Sequence, residues 1–225
     1  MVPANATDSV GYYCGRLGPG LLGEPLNSFS NLAFVLGALL AWQLWRPSSA
    51  RDRWQLLLIA LAAFIGIGSF IFHGHPTADT LPIDLVPIQV FGLATLAYVC
   101  LRYFKLHAAI AAAILVMFFL FRQYWIAVTP KGALGGAITH VPSILILFVV
   151  GLALLLRGIA LGRYVLGACC AYLAAILVRS WDLYLCPSFP YGVHWVWHLL
   201  TALTVSLIVV GMVRFPPVSV RRHDA

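Results

Sequence analysis

Seven apolar runs occupy most of this 225-residue chain, at 28–45, 54–72, 83–103, 107–125, 141–156, 164–181 and 194–213. Each is close to the roughly 20 residues that a helix needs to cross a bilayer. Only 9% of the residues are charged and 62% are hydrophobic, against about 25% charged in a soluble domain. So little polar surface cannot cover a water-facing globule, and lipid must serve as the solvent. Every backbone polar group in lipid has to be satisfied internally, and runs of this length do so as helices. The expected fold is therefore all-α, a seven-transmembrane helix bundle. No hydrophilic stretch is long enough for a second domain: 1–27 reads as an N-terminal segment, 28–213 as the bundle and 214–225 as a tail.

The net charge of +7 would suit a nucleic-acid partner if the cations formed one face. They stand singly between apolar runs, as topology signals do, and nucleic acid is excluded as a partner. With the N-terminus outside, the inner segments hold Arg46, Arg51, Arg53, Arg102, Lys105, Arg157, Arg163, Arg214, Arg221 and Arg222. The outer segments hold Arg16, Arg122, Lys131 and Arg179. This imbalance orients the chain N-out and C-in, with Arg122 and Lys131 standing against it. The opening residues lack the basic-then-apolar pattern of a cleaved signal peptide, and the short loops point to a bacterial inner membrane. Pro82, Pro87 and Pro142 are expected in first helical turns, where a missing N–H costs little. The small residues at 66–68, 167–168 and 171–175 are expected at close helix contacts.

In this orientation four ionisable groups from distant segments fall at one depth. His73 closes the second run, Asp84 opens the third, and His194 and His198 open the last. Such groups are costly inside lipid and usually have a task. Residues four apart share a helix face, so His194 and His198 can reach one ion together, with His73 as a third ligand. Three protein ligands and an open position describe a catalytic zinc site, where the ion activates water near neutral pH. Asp84 would take a proton from that water or hold it in place, and Ser69, one turn before His73, points to the same side. The loops 74–82 and 182–193 contain no Lys or Arg, which suits a divalent cation. His75, His107 and His140 read as satisfied interfacial residues or haem ligands. Phe91, Phe118, Phe119 and Phe148 are available to line an apolar cavity or to face lipid.

The stretch Gly66-Ile67-Gly68-Ser69-Phe70-Ile71-Phe72-His73, with Asp84 eleven residues past the histidine and Pro87 three further, resembles the alkaline ceramidase family. His194-Trp195-Val196-Trp197-His198 is similar to that family's last-helix His-x-x-x-His. Glu24-Pro25-Leu26-Asn27-Ser28-Phe29-Ser30-Asn31 is similar to its Glu-x-x-Asn-x-x-Ser-Asn entry to the first helix. The resemblance runs through the whole chain in order. It implies a seven-helix zinc amidase that cleaves ceramide or a related N-acyl lipid taken from the bilayer. His73, His194 and His198 would hold Zn2+, while Asp84 and Ser69 would order the water and stabilise the developing oxyanion. Animal relatives bind calcium through acids in the N-terminal segment. Glu24 matches one of them and becomes a candidate Ca2+ ligand, with an interfacial or capping role as the alternative. Gly15 follows Cys14 where another acid is expected, after Tyr12 and Tyr13.

Cys14 and Cys186 fall on the outer side, where an oxidising exterior allows them to pair, and the resemblance implies the same bridge. Cys100, Cys169 and Cys170 read as packing residues. Arg179 and Asp182, three apart, are candidates for a local ion pair. Two other function classes stay open. The wider superfamily includes the adiponectin and progestin receptor group, so a receptor or lipid-binding protein with a structural zinc is the alternative to the enzyme. A haem-binding electron carrier would also use histidines on two helices. A rhomboid-type serine protease is disfavoured, because Phe70 stands where glycine would follow the serine.

Overall fold

The computed structural model describes residues 14–18, 20–49, 51–130 and 132–217. Tyr12, Tyr13, Lys131, Arg221 and Arg222, singled out above, lie outside the described residues. Eight α-helices among the described residues carry the fold: α1 (Pro25–Ser30), α2 (Leu32–Trp45), α3 (Arg53–Gly74), α4 (Leu81–Tyr98), α5 (Ala108–Val128), α6 (Val141–Leu156), α7 (Leu161–Leu185) and α8 (His194–Arg214). No strand occurs among the described residues. Seven helical segments are long and apolar enough to cross a membrane, with α1 and α2 joined in a single span, Pro25–Trp45. The chain is a multi-pass membrane protein of the expected all-α class.

Local signals set the helix ends. The Asp52 carboxylate accepts from the Trp54 N–H to start α3, and His107 Nδ1 accepts from the Ala109 N–H to start α5, each satisfying a donor that the first turn leaves orphaned. Pro82 and Pro142 lie in the first turns of α4 and α6 as expected. Pro87 does not: α4 begins at Leu81, so this proline is inside the helix. Having no N–H, it frees the carbonyl of Ile83 four residues earlier. That carbonyl lies against Gly68 of α3, where any Cβ would collide with it. Proline and glycine together bring α3 and α4 into backbone contact and set Ser69 beside Asp84.

The helices follow one another round a ring. α2 packs on α3, α3 on α4, α6 on α7 and α7 on α8, while α8 returns to α2 and also touches α3. The main core lies between α2, α3, α7 and α8, around Phe34, Leu58, Ile65, Val165, Val209 and Met212. Gly66 makes a close contact of the expected kind, since a Cβ there would lie 2.7 Å from the Asn31 carbonyl. Gly167 does not, its nearest neighbour being Leu207 at an ordinary 3.7 Å. α5 is the outlier of the ring: of its 21 residues only Ala111 is buried.

Candidate metal centre

The end of the bundle where α3 stops and α8 begins holds three buried histidines, His73, His194 and His198. One ligand nitrogen from each ring lies within 4.8 Å of the others, and the ring centroids are 4.6–5.3 Å apart. A tetrahedral ion holding imidazoles at its usual bond length separates their nitrogens by about 3.4 Å, a closure that small side-chain rotations supply. His194 and His198 share a face because they are one turn apart on α8. His73 meets them because α3 packs against α8.

Two of the three rings are locked by acceptors on the nitrogen that faces away from the cluster. Glu24 Oε2 lies 2.8 Å from His73 Nδ1, and a carboxylate only accepts, so Nδ1 carries the proton and Nε2 is left bare. Ser30 Oγ lies 2.8 Å from His198 Nδ1. A hydroxyl that donates to the Asn27 carbonyl at 3.0 Å can accept from His198, an arrangement that again leaves Nε2 without a proton. A partner on the second ring nitrogen that fixes the tautomer is the usual support of a metal-ligating histidine. At His194 the neighbour of Nδ1 is Arg179 Nη1, 3.3 Å away. A guanidinium can only donate, so Nδ1 accepts there and the proton of the neutral His194 ring is on Nε2, the opposite tautomer to the other two.

Glu24 is fully buried and does not cap α1. Its other oxygen pairs with Arg16 Nε at 2.8 Å, and Asn27 Nδ2 approaches Oε2 at 3.2 Å. Arg16 thereby stands where a cation bound by Glu24 would sit, and calcium at this carboxylate would have to displace it. Gly15 has φ +107°, and a Cβ there would lie 2.8 Å from Asn27 Nδ2. The acid that the calcium-binding pattern asks for therefore cannot stand at 15.

Cys14 and Cys186 form the expected disulfide. Arg179 and Asp182, expected as a local ion pair, serve different partners. Asp182 Oδ1 accepts from the N–H groups of Val193 and His194, and Oδ2 accepts from that of Cys14. One carboxylate thus fixes both the N-terminal segment and the start of α8. Arg179 reaches the Gly135 carbonyl and lies over the Trp197 ring. Ser69 is buried. Asp84 is half-buried, with the Ser69 hydroxyl, His73 and Arg179 in electrostatic reach. It is not part of the ligand cluster itself.

Beneath the cluster lies an apolar cavity of about 180 Å³. Of the four phenylalanines that could line a cavity or face lipid, Phe91, Phe118 and Phe119 line it, whereas Phe148 is exposed on the outside of the bundle. The histidines of the cluster do not line it. Trp197 and Thr201 of α8 form the wall between. His140 also borders the cavity, its Nδ1 2.7 Å from the Tyr172 hydroxyl. Ser30 and Arg16 were not singled out as site residues. Ser30 was in view, because it belongs to the Asn-x-x-Ser stretch quoted above. Arg16 had no signal beyond being a lone cation eight residues before Glu24.

Comparison with protein-family models, with curated proteins and with solved structures finds no match for this chain.

Proposed function

We propose that this protein is a zinc-dependent integral membrane amidase that hydrolyses ceramide or a related N-acyl lipid to a free amine and a fatty acid. The observation that carries the reading is the convergence of His73, His194 and His198, two of them held by acceptors in the tautomer a metal ligand needs. Imidazole nitrogen in a buried three-histidine set is a donor set that suits zinc. When bound there, zinc would supply Lewis acidity to the scissile carbonyl and a water that ionises near neutral pH. The chain's own residues would do the rest. Asp84, beside Ser69, would accept the proton of the attacking water and return it to the departing amine. The Ser69 hydroxyl would donate to the oxyanion. Trp197 and the α3–α4 contact at Gly68 would keep bulk water away from the reacting amide.

The site would face the outer leaflet, with the N-terminus outside, which accords with the disulfide between Cys14 and Cys186. The alkaline ceramidase resemblance supplies the substrate class. Glu24, bonded to Arg16, would position His73 and would not need calcium. The experiment has two arms. Elemental analysis of purified protein should give about one zinc per chain, and turnover of a fluorescent ceramide should vanish in His198→Ala. Zinc at one per chain without amide turnover would instead support the receptor or lipid-binding alternative. Undiminished turnover by His198→Ala would defeat the catalytic proposal.

A further inference from the structure

One charged side chain has no place in the scheme above. Arg122 lies on α5, six residues from its end, or about 9 Å at the helical rise. It is half-buried and lines the cavity. A helical side chain leans toward the start of its own helix, which for α5 is the end away from the histidines, so Arg122 is directed deeper rather than toward the interface. Its contact with α4 agrees: Nη1 donates to Gln89 Oε1 at 3.3 Å, and Gln89 is eight residues into α4, about 12 Å along it. The other acceptor is the Gln123 amide, also at 3.3 Å. Both acceptors are neutral.

No carboxylate answers this cation. The cavity lining contains Arg122 and no Asp or Glu. Among the described residues four of the five acids are engaged elsewhere, and the fifth, Asp79, is exposed in the loop before α4 and does not line the cavity. Glu24 pairs with Arg16 and His73, Asp52 with Arg102, Asp182 with backbone N–H groups, and Asp84 faces Ser69, His73 and Arg179. A guanidinium inside a membrane span is costly unless something neutralises it. Most of the remaining lining is apolar, Phe91, Leu96, Phe118 and Ile146 among it, with the hydroxyls of Ser143, Tyr172 and Thr201 and the His140 ring as neutral polar groups.

We infer that Arg122, braced by Gln89, is a carboxylate-binding site and that the cavity takes an anionic amphiphile, an apolar chain ending in one carboxylate. The planar guanidinium offers that group a two-point hydrogen bond. The carboxylate belongs either to a free long-chain acid or to the acidic head of an N-acyl amino acid. The binding does not rest on the amidase reading, although an acidic head would sharpen it from neutral ceramide toward a charged N-acyl lipid.

The test uses the full chain in nanodiscs of neutral phosphatidylcholine. cis-Parinaric acid, a fluorescent long-chain acid, is titrated against its methyl ester, with energy transfer from the protein's tryptophans, Trp197 of the cavity wall among them, as the readout. The acid should bind roughly ten- to a hundredfold more tightly than the ester, the range of one charge-assisted hydrogen bond. Arg122→Gln should abolish that preference, and Arg122→Lys should retain part of it. His198→Ala should leave the preference in place, which separates this site from the metal centre. Should Arg122→Gln fail to fold, Gln89→Ala should weaken acid binding without weakening ester binding. Equal affinity for acid and ester in the parent protein overturns the inference, as does an acid preference that disappears with His198 rather than with Arg122. Competition by palmitate against N-palmitoylglycine then tells which source fits, displacement by either supporting the site.

Discussion

The two sides of the bundle differ in how firmly they are held. On one side, α8 buries eleven of its residues, from His194 to Val213, against α2, α3 and α7. On the other, α5 buries one and leaves Val116, Met117 and Leu120 exposed on its outer face. All three histidines are on the firm side, and the cavity takes part of its wall from the loose one, through Phe118, Phe119 and Arg122 of α5. A metal centre needs atoms held to fractions of an ångström, whereas a lipid chain needs room and adaptable walls. The fold separates the two demands by helix rather than by domain.

Substitutions should break this contrast in a graded way. The largest effect is expected at His73 and His198, where alanine should reduce bound metal to background in elemental analysis, while the far-ultraviolet dichroism of the bundle stays intact. Retention of stoichiometric metal would show that the cluster is not a binding centre. Next comes Glu24→Gln. Losing the carboxylate that orients His73 should lower metal affinity by roughly 10- to 100-fold in a competition titration with a chromogenic chelator. Ser30→Ala should act in the same direction through His198 and less strongly, because a hydroxyl is a weaker acceptor than a carboxylate.

Replacing Cys14 and Cys186 together by serine should cost about 2–4 kcal/mol of stability, read as a fall in the thermal midpoint. Metal loss should accompany unfolding rather than precede it, because Asp182 still anchors Cys14 and the start of α8. The smallest effect belongs to the loose side. Met117→Ala, on the exposed face of α5, should change stability by less than about 0.5 kcal/mol and leave metal content untouched. A large loss there would mean that α5 has a partner on its outer face.

Much of this was legible before the fold was known, because lipid makes a sequence speak plainly. Helix positions follow from apolar run length, and the histidines stand out because polar groups in lipid are rare. The i,i+4 spacing alone sets His194 beside His198. What could not be read was which helix faces meet. Nothing in the pattern says that Arg122 turns inward, that Phe148 turns outward, or that Asp182 serves Cys14 and His194 rather than Arg179. Those outcomes depend on the rotation of each helix about its axis, and an all-round apolar helix carries no stripe to set it. Pro87 was misplaced for a simpler reason: even in a helix starting at 83 it is the fifth residue, past the first turn, and α4 starts two residues earlier still, at Leu81.

The ligand set also has an order in time. His73 is on the second crossing segment and its two partners are on the seventh, so 120 residues separate the first pair of ligands. A chain made from its amino end carries an incomplete coordination shell until the last helix has entered the bilayer. If the three histidines hold a metal as proposed, loading would be coupled to completed insertion, and a truncated or stalled chain would have no site at which to capture an ion.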